Sequence, residues 1–150
     1  MISRERSNAN TEATPKLTVQ AVGMTIGPDH GILHVDWQLT NLTSEPIEIL
    51  EGWLPHGRFL GERQAFEPAL DLAAGESAII QRSVRYAAEP GEIIENAFLN
   101  LRVRYGGQPW RVLTRMRVEC GFAGALGLIV EAVTMHRIGF SEAATERGHP

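Results

Sequence analysis

The stretch Ala97-Phe98-Leu99-Asn100-Leu101-Arg102-Val103-Arg104-Tyr105-Gly106-Gly107-Gln108-Pro109-Trp110-Arg111-Val112-Leu113-Thr114-Arg115-Met116-Arg117-Val118 decides the fold class. Ala97, Leu99, Leu101, Val103 and Tyr105 alternate with Phe98, Asn100, Arg102 and Arg104; Trp110, Val112, Thr114, Met116 and Val118 alternate with Arg111, Leu113, Arg115 and Arg117. Period 2 is the repeat of a strand with one buried face. Gly106-Gly107 between the two runs predicts a type I′ turn, which needs positive φ at both central residues. Centring the turn there sets Leu101 opposite Val112, Val103 opposite Trp110 and Leu99 opposite Thr114. A slip of one residue would turn the apolar set of one strand to the polar face of the other, so the register is specified.

Working outward, Leu33, Val35, Trp37 and Leu39 alternate with His34, Asp36, Gln38 and Thr40, a second half-buried strand. Asn41 to Pro46 is turn chemistry, because Asn and Ser bond their own backbone and Pro has no N–H to give a ladder. Ile47 and Ile49 resume the alternation as far as Trp53, after which Pro55 and Gly57 break it. Ala65 to Leu72 keeps Phe66, Leu70 and Leu72 in one phase, but Pro68 demotes it to an edge strand or extended loop. Ala74-Gly75-Glu76 turns the chain into Ser77 to Tyr86, where Ala78, Ile80, Val84 and Tyr86 share a phase that Arg82 interrupts. Either a bulge shifts that phase or Arg82 is buried in a salt bridge. Residues 125–140 read both ways: Leu126, Ile129, Val130 and Val133 make a helical stripe, while Gly127, Gly139 and five β-branched residues favour a strand.

The chain of 150 residues and 16.5 kDa has 14 basic and 18 acidic side chains, a net charge of −4 and 43% hydrophobic residues. That is enough to bury one full core without disulfide or metal staples. Cys120, the one cysteine, has no partner in the chain, which excludes a disulfide scaffold. Residues 1–16 and 141–150 are polar and aperiodic and are expected to be disordered arms around a domain at 17–140. With no apolar signal-type stretch at the start and no membrane-spanning run, a cytoplasmic protein is expected. Strands of six to ten residues separated by turns predict an all-β fold, an antiparallel two-sheet sandwich of seven or eight strands.

The run Val35-Asp36-Trp37-Gln38-Leu39-Thr40-Asn41 followed by Glu45-Pro46-Ile47-Glu48-Ile49 resembles immunoglobulin-like or fibronectin-like bacterial β-sandwich domains. The resemblance covers residues 17–119 and implies an immunoglobulin-like fold. It lacks the Cys…Trp…Cys framework of antibody domains and carries over no catalytic residues, so it implies nothing about function.

The net charge hides a segregation. Residues 96–118 hold Arg102, Arg104, Arg111, Arg115 and Arg117 and no Asp or Glu, so the hairpin is +5 and the rest of the chain −9. All five fall on the face away from the core, with Arg102 across from Arg111 and Phe98 across from Arg115. Like charges directly opposite cost up to about 1 kcal/mol. Either acidic side chains such as Asp36, Glu48 or Glu51 interleave with them, or the face takes an anionic partner, for which the guanidinium fork suits carboxylate or phosphate. Thirteen Arg against the single Lys16 weakens any argument from arginine identity at this face. Nucleic acid is disfavoured, since the domain is acidic and only Phe98 stands among the arginines.

Trp53-Leu54-Pro55-His56-Gly57-Arg58-Phe59 reads as a loop at a sandwich end, and Trp53, His56 and Arg58 are binding candidates there. His34 and Asp36 share a strand face, and His30 sits in a turn, which is too few ligands for a metal site. No nucleophile elbow, phosphate loop or dinucleotide fingerprint occurs, and no catalytic residue or cofactor is assigned. Asn41-Leu42-Thr43 spells a glycosylation sequon, here read as a turn. The sequence therefore favours a non-enzymatic module that binds another protein or pairs with itself. The alternative is a carboxylate- or phosphate-binding protein, or an enzyme, using the 53–63 loop and the arginine face.

Overall fold

The computed structural model describes residues 14–27 and 31–139. Eight strands follow in chain order: β1 (Leu17–Ile26), β2 (Ile32–Asn41), β3 (Ile47–His56), β4 (Phe59–Leu72), β5 (Ser77–Tyr86), β6 (Ile93–Tyr105), β7 (Gln108–Cys120) and β8 (Leu126–Arg137). No helix of the described residues is long and apolar enough to cross a membrane. The expected arms fall almost wholly on residues 1–13 and 140–150, outside the described residues. Pro15 is buried, and Lys16 donates its N–H to Thr43 Oγ1 at 2.8 Å.

The all-β antiparallel expectation holds, but the expected division into two sheets does not. One sheet runs β1-β2-β5-β4-β3-β6-β7-β8, every ladder antiparallel. Its outer strands β1 and β8 come into contact, so it curls into a nearly closed barrel. Period-2 alternation gives the inward face of a strand in a barrel or a sandwich alike, and only long-range pairing tells them apart.

The β6–β7 hairpin adopts the expected register, Leu101 opposite Val112 and Val103 opposite Trp110, with φ of 59° at Gly106 and 74° at Gly107. An added Cβ at Gly107 would meet nothing within 4 Å, so only the backbone conformation penalises a side chain there. Gly107→Val is expected to cost about 1–2 kcal/mol in urea unfolding, from the left-handed conformation alone.

Residues 126–137 are strand, and the helical stripe has a local cause. The ladder to β7 jumps from Arg115–Ala132 to Met116–Val130, so Glu131 is an extra residue in the strand. That bulge turns both Val130 and Val133 inward, a spacing of three that imitates a helix.

β5 is unbroken from Ser77 to Tyr86 and its register with β2 has no shift. Arg82 therefore marks no bulge, and it forms no salt bridge with the described carboxylates. It lies buried in phase with Ile80 and Val84, so the apolar phase read from the sequence stands.

Pro68 lies inside β4, a strand with neighbours on both sides in the sheet order rather than an edge. It is nonetheless outside both ladders. The β3 register steps from Ile49–Leu70 to Glu51–Ala65, and β5 pairs only with Phe59 and Leu60. A residue without N–H is tolerated because nothing pairs with it there.

The expected loop at 53–59 is instead the tip of the β3–β4 hairpin, His56 facing Phe59 across Gly57-Arg58. Leu54 and Phe59 are fully buried and belong to the same core cluster as Trp37, Leu99 and Leu101.

Candidate functional site

The arginine face is where period 2 places it, outward on β6 and β7, and long-range pairing supplies its counter-charges. β3 lies beside β6 with Glu48 opposite Arg104 and Glu51 opposite Arg102. Arg102 Nη1 reaches Glu51 Oε2 at 3.0 Å and Arg104 Nη1 reaches Glu48 Oε1 at 2.6 Å. On the other side, Arg117 contacts Glu119 at 3.0 Å and Glu131 at 3.1 Å, and Arg115 approaches Glu131 at 3.6 Å. Arg111 is half-buried across from Arg102, and Phe98 half-buried across from Arg115. Of the acids expected to interleave, Glu48 and Glu51 do so. Asp36 accepts instead from Gln81 Nε2 at 2.9 Å.

Glu51 is the centre of this face. Its second oxygen lies 3.6 Å from Arg63 Nε, and the Arg63 guanidinium stacks 3.9 Å from the centroid of Trp53. The Arg102–Glu51 pair is mostly covered, while the outer pairs are solvated and contribute at most about 1 kcal/mol each.

At the hairpin tip, His56 and Arg58 close a clasp. The Arg58 N–H donates to His56 Nδ1 at 3.0 Å, Arg58 Nε donates to the Ala87 carbonyl at 2.9 Å, and Arg58 Nη2 pairs with Glu92 Oε1. Glu92 also accepts the Glu89 backbone N–H at 2.8 Å. That bond, followed by the arginine, holds its carboxyl below the usual carboxylate range. The clasp joins the β3–β4 hairpin to the β5–β6 connection and brings His56 and Arg58 together, while the Trp53 ring contacts Arg63. His34 bonds Ser83 Oγ at 3.0 Å, and Cys120 is buried with Sγ 4.0 Å from the Ala88 carbonyl. His30 lies outside the described residues.

Two openings in the barrel wall were not read from the sequence. The first is a cleft of about 490 Å³ where β4 and β5 part after two residue pairs, with Leu60, Glu62, Arg63, Gln64, Arg82 and Arg85 among its walls. Its one legible signal was Arg82 on an apolar phase. The second is a groove of about 510 Å³ at the lip where β6 begins and β7 turns into β8. Gly91, Ile93, Ala125 and Leu126 line it, and Phe122 stands on its rim with 90% of its surface exposed. A single aromatic in a Gly-rich turn gives no periodic signal by which sequence could place it.

Among known proteins, no family model matches the chain and no curated protein matches it.

Proposed function

We propose that the protein is a non-enzymatic binding module that pairs with a second copy of itself through the Phe122 lip. The observation that carries this reading is the exposed Phe122 ring beside a largely apolar groove. Ile93, on the groove wall, is 50% exposed. The Gly121–Ala125 turn holds the ring out: Gly121 N–H bonds the Ala125 carbonyl at 2.8 Å and Gly124 N–H the Gly121 carbonyl at 2.9 Å. A protruding ring and a recess on one patch are self-complementary, so a two-fold axis seats each Phe122 in the partner's groove. Burying such a ring removes roughly 150–250 Å² from water on each side.

The arginine hairpin is a weaker docking face in this reading, because its charges already have partners and an anionic ligand would have to displace carboxylates. Two finer expectations belong to the same proposal, the immunoglobulin-like bacterial lineage that the resemblance implies and the cytoplasmic setting expected from the sequence.

Sedimentation velocity across a range of protein concentrations tests it. A dimer is expected to form, and to persist in 0.5 M salt, because an apolar contact is not screened. Phe122→Ser is expected to weaken the dimer by at least tenfold while leaving the fold intact, the behaviour of an anchor residue. A chain that stays monomeric at about 0.1 mM, or a Phe122→Ser variant that pairs like the parent, overturns the reading.

A further inference from the structure

The cleft between β4 and β5 is independent of the lip. Arg82 rises from β5 into the gap left where the β4–β5 ladder stops, and only 5% of its surface is exposed. Its Nη1 donates to Gln64 Oε1 at 3.0 Å and, at 3.5 Å, to the Gln81 carbonyl. Nη2 has one long contact, 3.4 Å to the Gln64 carbonyl. Nε, fully enclosed, has no acceptor. The Phe66 ring lies 4.6 Å from the guanidinium carbon. Every partner is neutral, although an arginine keeps its charge in a protein. A buried charge with no counter-charge is costly, and the usual remedy is an anion in contact with the guanidinium.

We propose that this cleft binds a small, singly charged organic carboxylate, with Arg82 as its anchor. The carboxylate takes Nη2, whose one protein contact is long, while the enclosed Nε stays out of its reach. Gly52 on β3 brings no side chain to Nη2, where a Cβ would come within 3.7 Å of it. Local charge sets the valence. Glu62, Arg63 and Arg85 on the cleft walls are exposed to solvent, so Arg82 is the one buried charge there to balance. A carboxylate balances it, and a phosphate dianion exceeds it. Ile32, Leu60 and Val84 on the same walls provide an apolar seat for the body of the acid.

Calorimetry and thermal unfolding of the full chain test this with acetate, butyrate and benzoate, with butyramide and benzamide as uncharged matches, and with inorganic phosphate. At one hundred times its Kd a bound acid is expected to raise Tm by roughly 10 °C, and its amide not at all. Arg82→Lys is expected to weaken the acid at least tenfold, since an ammonium lacks the planar fork. Phe122→Ser is expected to bind it unchanged. No shift with any of the acids, equal binding of acid and amide, tighter binding of phosphate than of every acid, or an Arg82→Lys variant that binds normally overturns the proposal. Should the Arg82 variant not fold, the acid and amide comparison on the parent chain decides.

Discussion

Trp37→Ala is expected to lower the free energy of unfolding by about 3–5 kcal/mol, the range for removing a large aromatic from a closed core. Trp37 is the largest fully buried side chain of the domain. Its strand lies between β1 and β5, with Ala21 opposite on one side and Ile80 on the other. Alanine leaves a cavity that the barrel wall cannot close without shifting two ladders. Against the roughly 5–15 kcal/mol typical of such domains, that loss makes folding marginal. The indole Nε1 has no acceptor, so the loss is one of packing and transfer from water, with no hydrogen bond broken. Trp37→Phe should therefore cost far less, about 1–2 kcal/mol, because it also removes an orphaned donor. Urea unfolding measures both, with an unchanged denaturant slope for a purely packing effect. An alanine variant within 1 kcal/mol of the parent would contradict this account of the core.

Asn41→Ala is expected to cost about 3–4 kcal/mol, from the separate penalties of leaving several buried polar groups unmade. The side chain is fully buried at the end of β2. Its Nδ2 donates to the carbonyls of Glu45 at 2.8 Å, Leu72 at 3.0 Å and Ala73 at 3.3 Å, and its Oδ1 accepts the Thr43 N–H at 2.8 Å. One amide thus ties the β2–β3 connection to the β4–β5 turn, segments thirty residues apart in the chain. Asn41→Asp should be at least as damaging at neutral pH, since a carboxylate accepts but cannot donate and carries a buried charge. Its deficit should shrink as pH falls and the buried carboxyl, whose pKa burial raises, takes up a proton. Comparing the urea midpoints of both variants from pH 7 to pH 4 checks the sign. The same geometry removes the sequon as an acceptor in the folded chain, because the nitrogen that would carry the sugar is enclosed and bonded.

Particular residues show how far local reading reaches. Gly106-Gly107 and the alternation on either side were enough for the hairpin and its register, because turn chemistry and period 2 act within a few residues. The same rule leaves residues 125–140 open between a helical stripe and the strand that the β-branched residues favour and the structure shows, since one extra residue, Glu131, changes the phase without changing the composition. Pro68 signals an edge strand or an extended loop; it requires only a place without a ladder partner, and a central strand that loops out of both ladders provides one. For the sites, Arg82 was visible as an anomaly in an apolar phase. Its neutral partners were not, because Gln64 comes from another strand and Phe66 from a stretch whose ladder is missing.

By itself the sequence determined which side chains face inward, where the chain turns, and that five arginines share one outward face. Those properties follow from sterics and hydrophobicity along a single strand or hairpin. Only the tertiary structure decided that the strands form one curled sheet, that Glu48 and Glu51 meet Arg104 and Arg102, and that β4 and β5 part around a buried guanidinium. Each of these depends on which distant strands pair, and the free energy of that choice is spread over the whole core.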